Sequence, residues 1–205
     1  MLDSYTPMEL YIGLISGTSM DGFDAALVDF SATKPRLVAS IEVPMPGDLK
    51  EAMREVIKAK AVPFQKLAEF DKRLAHLLAD AVKTVLEKAH ISPDAVRAIG
   101  SHGQTLYHIP GEYSLQIGDP NIIACETGIT TIADFRRMDI AGGGQGAPLA
   151  PLFHREIFHD VREDCIVLNM GGIANITLIP SARDKEVIGF DTGPANTLMD
   201  KWCQK

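Results

Sequence analysis

A chain of 205 residues is long enough for one ordinary domain or two small lobes, and too short for a large multidomain enzyme. Hydrophobic residues at 46%, charged residues at 23%, 17 glycines and 12 prolines place it among folded globular proteins and exclude a disordered or collagen-like chain. With 20 basic and 27 acidic side chains the net charge is −7, so no global field attracts a nucleic-acid backbone or an anionic membrane, and a phosphate ligand needs a local site.

The opening residues lack the basic start of a signal peptide, and the apolar run Leu10–Ile15 is far shorter than a membrane span; a cytoplasmic location is expected. Cys125, Cys165 and Cys203 are odd in number and widely spaced with no CxxC pattern, which predicts buried thiols rather than a disulfide framework or a zinc site.

In chain order, Leu10–Ser16 and Asp24–Phe30 read as two strands joined by the tight turn Gly17-Thr18-Ser19-Met20-Asp21-Gly22. Arg36–Val43 reads as a third strand, stopped by Pro44 and Pro46. Apolar residues then recur at threes and fours, first at Leu49, Met53, Val56 and Ile57, then from Leu67 to Val85, which predicts two amphipathic helices, the second ending near His90. Val96–Ser101 is a predicted strand, Thr105–Tyr107 with Ser114–Ile117 a hairpin, and Asp119-Pro120 the cap and first position of a helix closed by Gly128. A short strand at Ile129–Ala133, a loop from Asp134 to Pro148 and a helix near Pro151–Phe158 follow. His154 and His159 read as surface residues of that helix, since the spacing of a metal-ligand pair is missing.

Past a charged connector at Asp160–Asp164 the opening scheme returns: strand Cys165–Asn169, glycines Gly171-Gly172, strand Ile173–Ile179, strand Val187–Phe190, and a helix begun by Asp191-Thr192-Gly193-Pro194. This repeat suggests a duplicated α/β unit, residues 1–161 and 162–205, whose paired glycine turns cradle phosphate oxygens across a cleft; ordinary hairpins with ordinary turns are the plainer alternative.

There is no GxxxxGK[ST] P-loop, and the glycines of 142–146 do not fit GxGxxG after a strand. Phosphoryl transfer remains, and it needs phosphate donors, a carboxylate for magnesium and a base beside the reacting oxygen. Ser16–Asp24 offers turn amides, hydroxyls and the carboxylates Asp21 and Asp24; Asn169–Gly172 offers a second turn; Asp191, at a predicted strand end, is either a base or a simple helix cap. The segments 101–105, 116–121 and 134–137 combine amide, hydroxyl, imidazole and guanidinium groups at strand ends, which suits an acidic amino sugar. Asp134 with Arg136 or Arg137 also reads as a plain surface ion pair.

Seven ordered segments, Ile15–Gly22 with Asp24, Ser101–Thr105, Leu115–Asn121, Ala133–Arg137, Gly143–Leu149, Asn169–Asn175 and Gly189–Pro194, together resemble the anhydro-N-acetylmuramic acid kinase family. The resemblance implies an actin-like ATPase (ribonuclease H-like) lobe with a mixed sheet and flanking helices, followed by the truncated start of a second, similar lobe. It implies a cytoplasmic, homodimeric enzyme that uses ATP and Mg2+. The enzyme opens the anhydro ring with water as the sugar's O6 receives the γ-phosphate, giving N-acetylmuramic acid 6-phosphate for cell-wall recycling. Carried over by position, Gly17, Thr18, Ser19, Met20, Asp21, Gly22, Phe23 and Asp24 form the ATP phosphate segment, Asp191 is the base, and Gln104, Thr105, Asp119 and Arg136 contact the sugar.

The sequence departs from the family pattern at Ala195, where a glycine is usual, and stops one helix into the second lobe, before the adenosine-binding segment. The resemblance therefore implies a polypeptide that binds ATP poorly and turns over little. The alternative is a non-catalytic amino-sugar-binding or interaction module derived from the kinase.

Overall fold

The computed structural model describes residues 8–17, 20–160 and 162–203. Strands β1 (Leu10–Ser16) and β2 (Gly22–Asp29) alternate strictly, with Leu10, Ile12 and Leu14 of one and Phe23, Ala25 and Leu27 of the other turned into the core. β3 (Arg36–Pro44) completes an antiparallel meander that ends at Pro44. Helices α1 (Gly47–Ala59) and α2 (Phe64–Ala89) follow; α1 buries Leu49, Met53 and Val56, and α2 buries Leu74, Leu78, Val82 and Val85 in the same core. α2 ends as expected at His90, whose left-handed backbone lets its amide reach back to the last helical carbonyls.

β4 (Val96–Ser101) returns parallel to β1. A separate hairpin, β5 (Gln104–Ile109) and β6 (Tyr113–Ile117), leads into α3 (Pro120–Thr127), then β7 (Thr131–Ile132), parallel to β4. The main sheet thus has the order β3-β2-β1-β4-β7, an antiparallel meander extended by parallel strands, with helices flanking it. This is the ribonuclease H-like arrangement of an actin-type lobe. α4 (Phe135–Ala141) occupies part of the stretch expected as loop; its cap residue Asp134 is left-handed and makes no side-chain cap, so the usual start signal is missing.

By packing, the chain divides into two compact units, one ending at Gly143 and one beginning at Gly144. In the second, α5 (Ala150–Phe158) precedes an antiparallel meander of β8 (Cys165–Met170), β9 (Ile173–Ile179) and β10 (Ile188–Pro194), which repeats the β1–β3 scheme. α5 covers one face, where Ile179 is buried and His154 Nδ1 lies 2.9 Å from Thr177 Oγ1. His159 Nε2 donates to Ser181 O at 3.0 Å. Both histidines therefore tie α5 to its surroundings instead of standing free on its surface.

The final helix, α6 (Asn196–Cys203), starts later than expected because β10 runs on through Pro194. Cys125 and Cys203 are exposed and Cys165 half-buried, which corrects the expectation of buried thiols.

Candidate functional site

The expected phosphate segment begins where β1 runs out. The Met20 amide donates to Gly17 O at 3.0 Å, closing a turn in which Met20 is left-handed and buried. Asp21 anchors the far side: its carbonyl accepts from Met45 N at 3.0 Å and its Oδ1 from Lys50 Nζ at 2.6 Å. Phe23 is fully buried and contributes only backbone outside the core, whereas Asp24, one residue on, is exposed on the opposite face of β2. Thr18 and Ser19 lie outside the described residues.

The polar loops gather at the neighbouring strand ends. Ser16 Oγ donates to Gln104 Oε1 at 2.6 Å, and Gln104 Nε2 donates to Thr105 O at 3.1 Å. Gln104 is 1% exposed, so its side chain has no surface left for a ligand and serves to bind β5 to β1. β5 starts one residue earlier than expected, at Gln104, and its alternation puts Gln104 on the same inward face as Leu106.

His102 and Arg136 meet instead. Arg136 Nε donates to His102 Nε2 at 2.8 Å, and His102 Nδ1 lies 2.9 Å from Gly103 O. A guanidinium can only donate, so Nε2 is an acceptor, Nδ1 carries the proton, and the ring is neutral. Burial, helped by the Arg136 charge, pushes the His102 pKa below its ordinary value despite the opposing Gly103 bond. Arg136 is half-buried on α4, where desolvation lowers its own pKa.

Thr105 is bound into a second network: Gln116 Nε2 donates to Thr105 Oγ1 at 3.0 Å and to Ser114 Oγ at 2.7 Å, and Ser114 Oγ also lies 3.1 Å from His108 Nδ1. Two glycines let these loops close. A Cβ on Gly103 (φ +66) would stand 2.2 Å from Ile117 O, and one on Gly118 (φ +113) 3.0 Å from Leu78 Cδ1. Asp71 of α2 accepts from Gly118 N at 2.6 Å, and Asp119 caps α3 by accepting from Asn121 N at 2.8 Å. Asp134 pairs with Arg137, through Arg137 Nε to Asp134 Oδ1 at 2.9 Å.

In the second unit Asp191 sits within β10, not at the cap of a helix. It pairs with Asn175, which pairs in turn with Asn169, so the three form one cross-strand row. That row lies on the α5 side of the sheet, the parity of Thr177 and Gly189. A bulge follows Asp191, and its carboxylate is exposed. The Gly171-Gly172 turn is committed to α6: Gly172 O accepts from Thr197 Oγ1 at 2.8 Å and Gly171 O from Asn196 N at 2.9 Å.

Of the residues expected at the sugar, Thr105, Asp119 and Arg136 are partly exposed in the first unit and Gln104 is buried. His102 and Gln116, from the polar segments 101–105 and 116–121, bond to Arg136 and Thr105, and Asp71 of α2, which no local pattern marks, holds the Gly118 amide.

The family model for anhydro-N-acetylmuramic acid kinase matches residues 9–205. Relatives bearing that name include one from Coxiella burnetii, 52% identical over 200 residues, covering 96% of this chain and 53% of the relative. Another, from Vibrio vulnificus, is 51% identical over 199 residues with the same coverages. Among solved structures, the Aquifex aeolicus member of the Ppx/GppA family is similar at TM-score 0.45 and 10% identity, over 97% of this chain and 60% of that one. The ethanolamine utilization protein EutJ from Carboxydothermus hydrogenoformans is similar at TM-score 0.36 and 14% identity, over 97% and 58%. The chain spans about half the length of the curated relatives it matches. With the family model matched along nearly its whole extent, the chain belongs to the anhydro-N-acetylmuramic acid kinase family.

Proposed function

We propose that this polypeptide serves ATP-dependent phosphorylation of 1,6-anhydro-N-acetylmuramic acid with hydrolytic opening of the anhydro ring, giving N-acetylmuramic acid 6-phosphate. The match to the kinase family over residues 9–205 carries this reading. In the reaction water adds at C1, the C1–O6 bond breaks, O6 takes the γ-phosphoryl group, and the water's proton passes to the Asp191 carboxylate. The exposure of that carboxylate supports the role, because a base must reach its proton.

ATP, when bound, supplies the phosphoryl group and Mg2+ the charge that offsets its oxygens. The connection between β1 and β2 suits such a ligand: the Met20 amide donates back to Gly17 O, and Asp24 offers an exposed carboxylate that would hold the ion through water, as Mg2+ prefers. Asp21 is held by Lys50 and acts on the shape of the turn.

For the sugar, Arg136 faces the acidic substituent, with its Nε fixed by His102, and Thr105 and Asp119 offer hydroxyl and carboxylate partners. No helix among the described residues is long and apolar enough to cross a membrane. We place the reaction in the cytoplasm, with a small sugar as partner and a homodimer as the assembly.

Sugar-dependent release of ADP tests the reading. Asp191→Asn is expected to abolish turnover while ATP affinity survives; unchanged turnover in that variant overturns the role of Asp191. The non-catalytic alternative predicts sugar binding without nucleotide that Asp191→Asn leaves intact, and no turnover in either protein.

A further inference from the structure

Between the end of β4 and the loop entering α3, the first unit holds a pocket of about 130 Å³, space for several waters or one small substituent and too little for a whole sugar. Two polar atoms of its lining residues are buried without a partner among the described residues. One is Ser101 Oγ, on a residue 1% exposed; the other is Gln116 Oε1, whose amide has spent both hydrogens on Thr105 and Ser114. Buried polar atoms left unpaired cost free energy, and a ligand that satisfies them recovers it. The pair presents one hydroxyl donor and one carbonyl acceptor.

The remaining walls narrow the choice. Ile117, Pro120 and Ala133 give apolar surface, while three carboxylates, Asp71, Asp119 and Asp134, stand against one guanidinium, Arg137, already bonded to Asp134. His102, which also lines the pocket, is neutral because its Nε2 accepts from Arg136. A carboxylate substituent would be repelled. A neutral group with one N–H, one carbonyl and a methyl fits each wall.

We propose that this pocket receives the acetamido substituent of the amino sugar, with its N–H donated to Gln116 Oε1, its carbonyl accepting from the Ser101 hydroxyl, and its methyl against Pro120 and Ala133. The inference rests on the sugar reading above and extends it, making Ser101 and Gln116 specificity-determining residues. Arg136 is then left to the acidic substituent, so the two ends of the sugar are told apart by charge.

The test is calorimetric titration of the chain with 1,6-anhydro-N-acetylmuramic acid and with its N-deacetylated counterpart, in wild type, Ser101→Ala and Ala133→Leu. The wild type is expected to prefer the acetylated sugar at least tenfold. Ser101→Ala, which removes a hydroxyl that has no partner among the described residues, should melt no lower than wild type and lose most of that preference. Ala133→Leu should lose it by filling the space. Equal affinity for the two sugars, or a preference that survives both substitutions, overturns the acetamido pocket, leaves water as its occupant, and lets the sugar reading stand. Binding of neither sugar overturns the pocket and the sugar reading together.

Discussion

His102 fixes the guanidinium on which the proposed sugar site depends. It holds Arg136 Nε only while Nε2 is unprotonated, and burial keeps it so below the ordinary histidine value of 6.5. Its contribution to stability is therefore whole above that value and is lost as pH falls through the depressed one. A carbon-detected NMR titration should find the His102 midpoint below 6.5 and find it raised in Arg136→Ala, which removes a nearby positive charge; a midpoint at or above 6.5 in the wild type contradicts the assignment. Gly103 is the second sensitive position, because a Cβ there would strike Ile117 O while forcing a left-handed backbone. Gly103→Ala should cost at least about 2 kcal/mol in denaturant unfolding; a loss within experimental error would show that the loop relaxes freely. The polar segments 101–105, 116–121 and 134–137 were legible as candidates, and Thr105, Asp119 and Arg136 were named within them by the family resemblance. The burial of Gln104 was missed because the expected strand began at Thr105, and the meeting of His102 with Arg136 joins residues 34 apart and has no local signature.

At the scale of elements, the end of β2 is pinned by Asp29. Its carboxylate accepts from Ser31 N, Glu9 N and Arg36 Nη2, and these bonds, the Ser31 one foremost, hold its pKa at about 2. That stabilisation is complete above the carboxyl's ordinary value of 3.8 and disappears as pH falls through about 2. Thermal unfolding between pH 5 and pH 1, roughly the span over which such a carboxylate titrates, should show Tm falling less steeply in Asp29→Asn than in wild type; parallel curves would remove Asp29 from the account. The meanders and the two long helices were legible because period-two and period-3.6 patterns run over enough residues to be distinctive. α4 was not, since seven residues without a side-chain cap and with glycines after them look like loop. The start of α6 was misplaced because Gly193-Pro194 imitates a helix entry, while the pairing of Phe190 and Asp191 with β9 carries the strand through it.

At the scale of the molecule, the second unit leaves one sheet face bare. Ile166 pairs with Leu178, which pairs with Ile188, and Leu168 with Ile176, which pairs with Phe190; these rows oppose the α5 side. Ile166 is 66% exposed and Leu168 54%. Contiguous apolar surface of this kind drives association, so the chain produced alone should scatter light increasingly with concentration, and Leu168→Lys with Phe190→Lys should reduce the effect. A monodisperse wild type would contradict this.

The central claim is that the first unit recognises an acidic 1,6-anhydro amino sugar through Arg136, and titration calorimetry of 1,6-anhydro-N-acetylmuramic acid into wild type and Arg136→Ala tests it most directly. The expected result is saturable binding by the wild type, weakened at least about tenfold in the variant, the worth of a charge-assisted hydrogen bond. Equal affinity in the two proteins, or no heat of binding in the wild type, would contradict it.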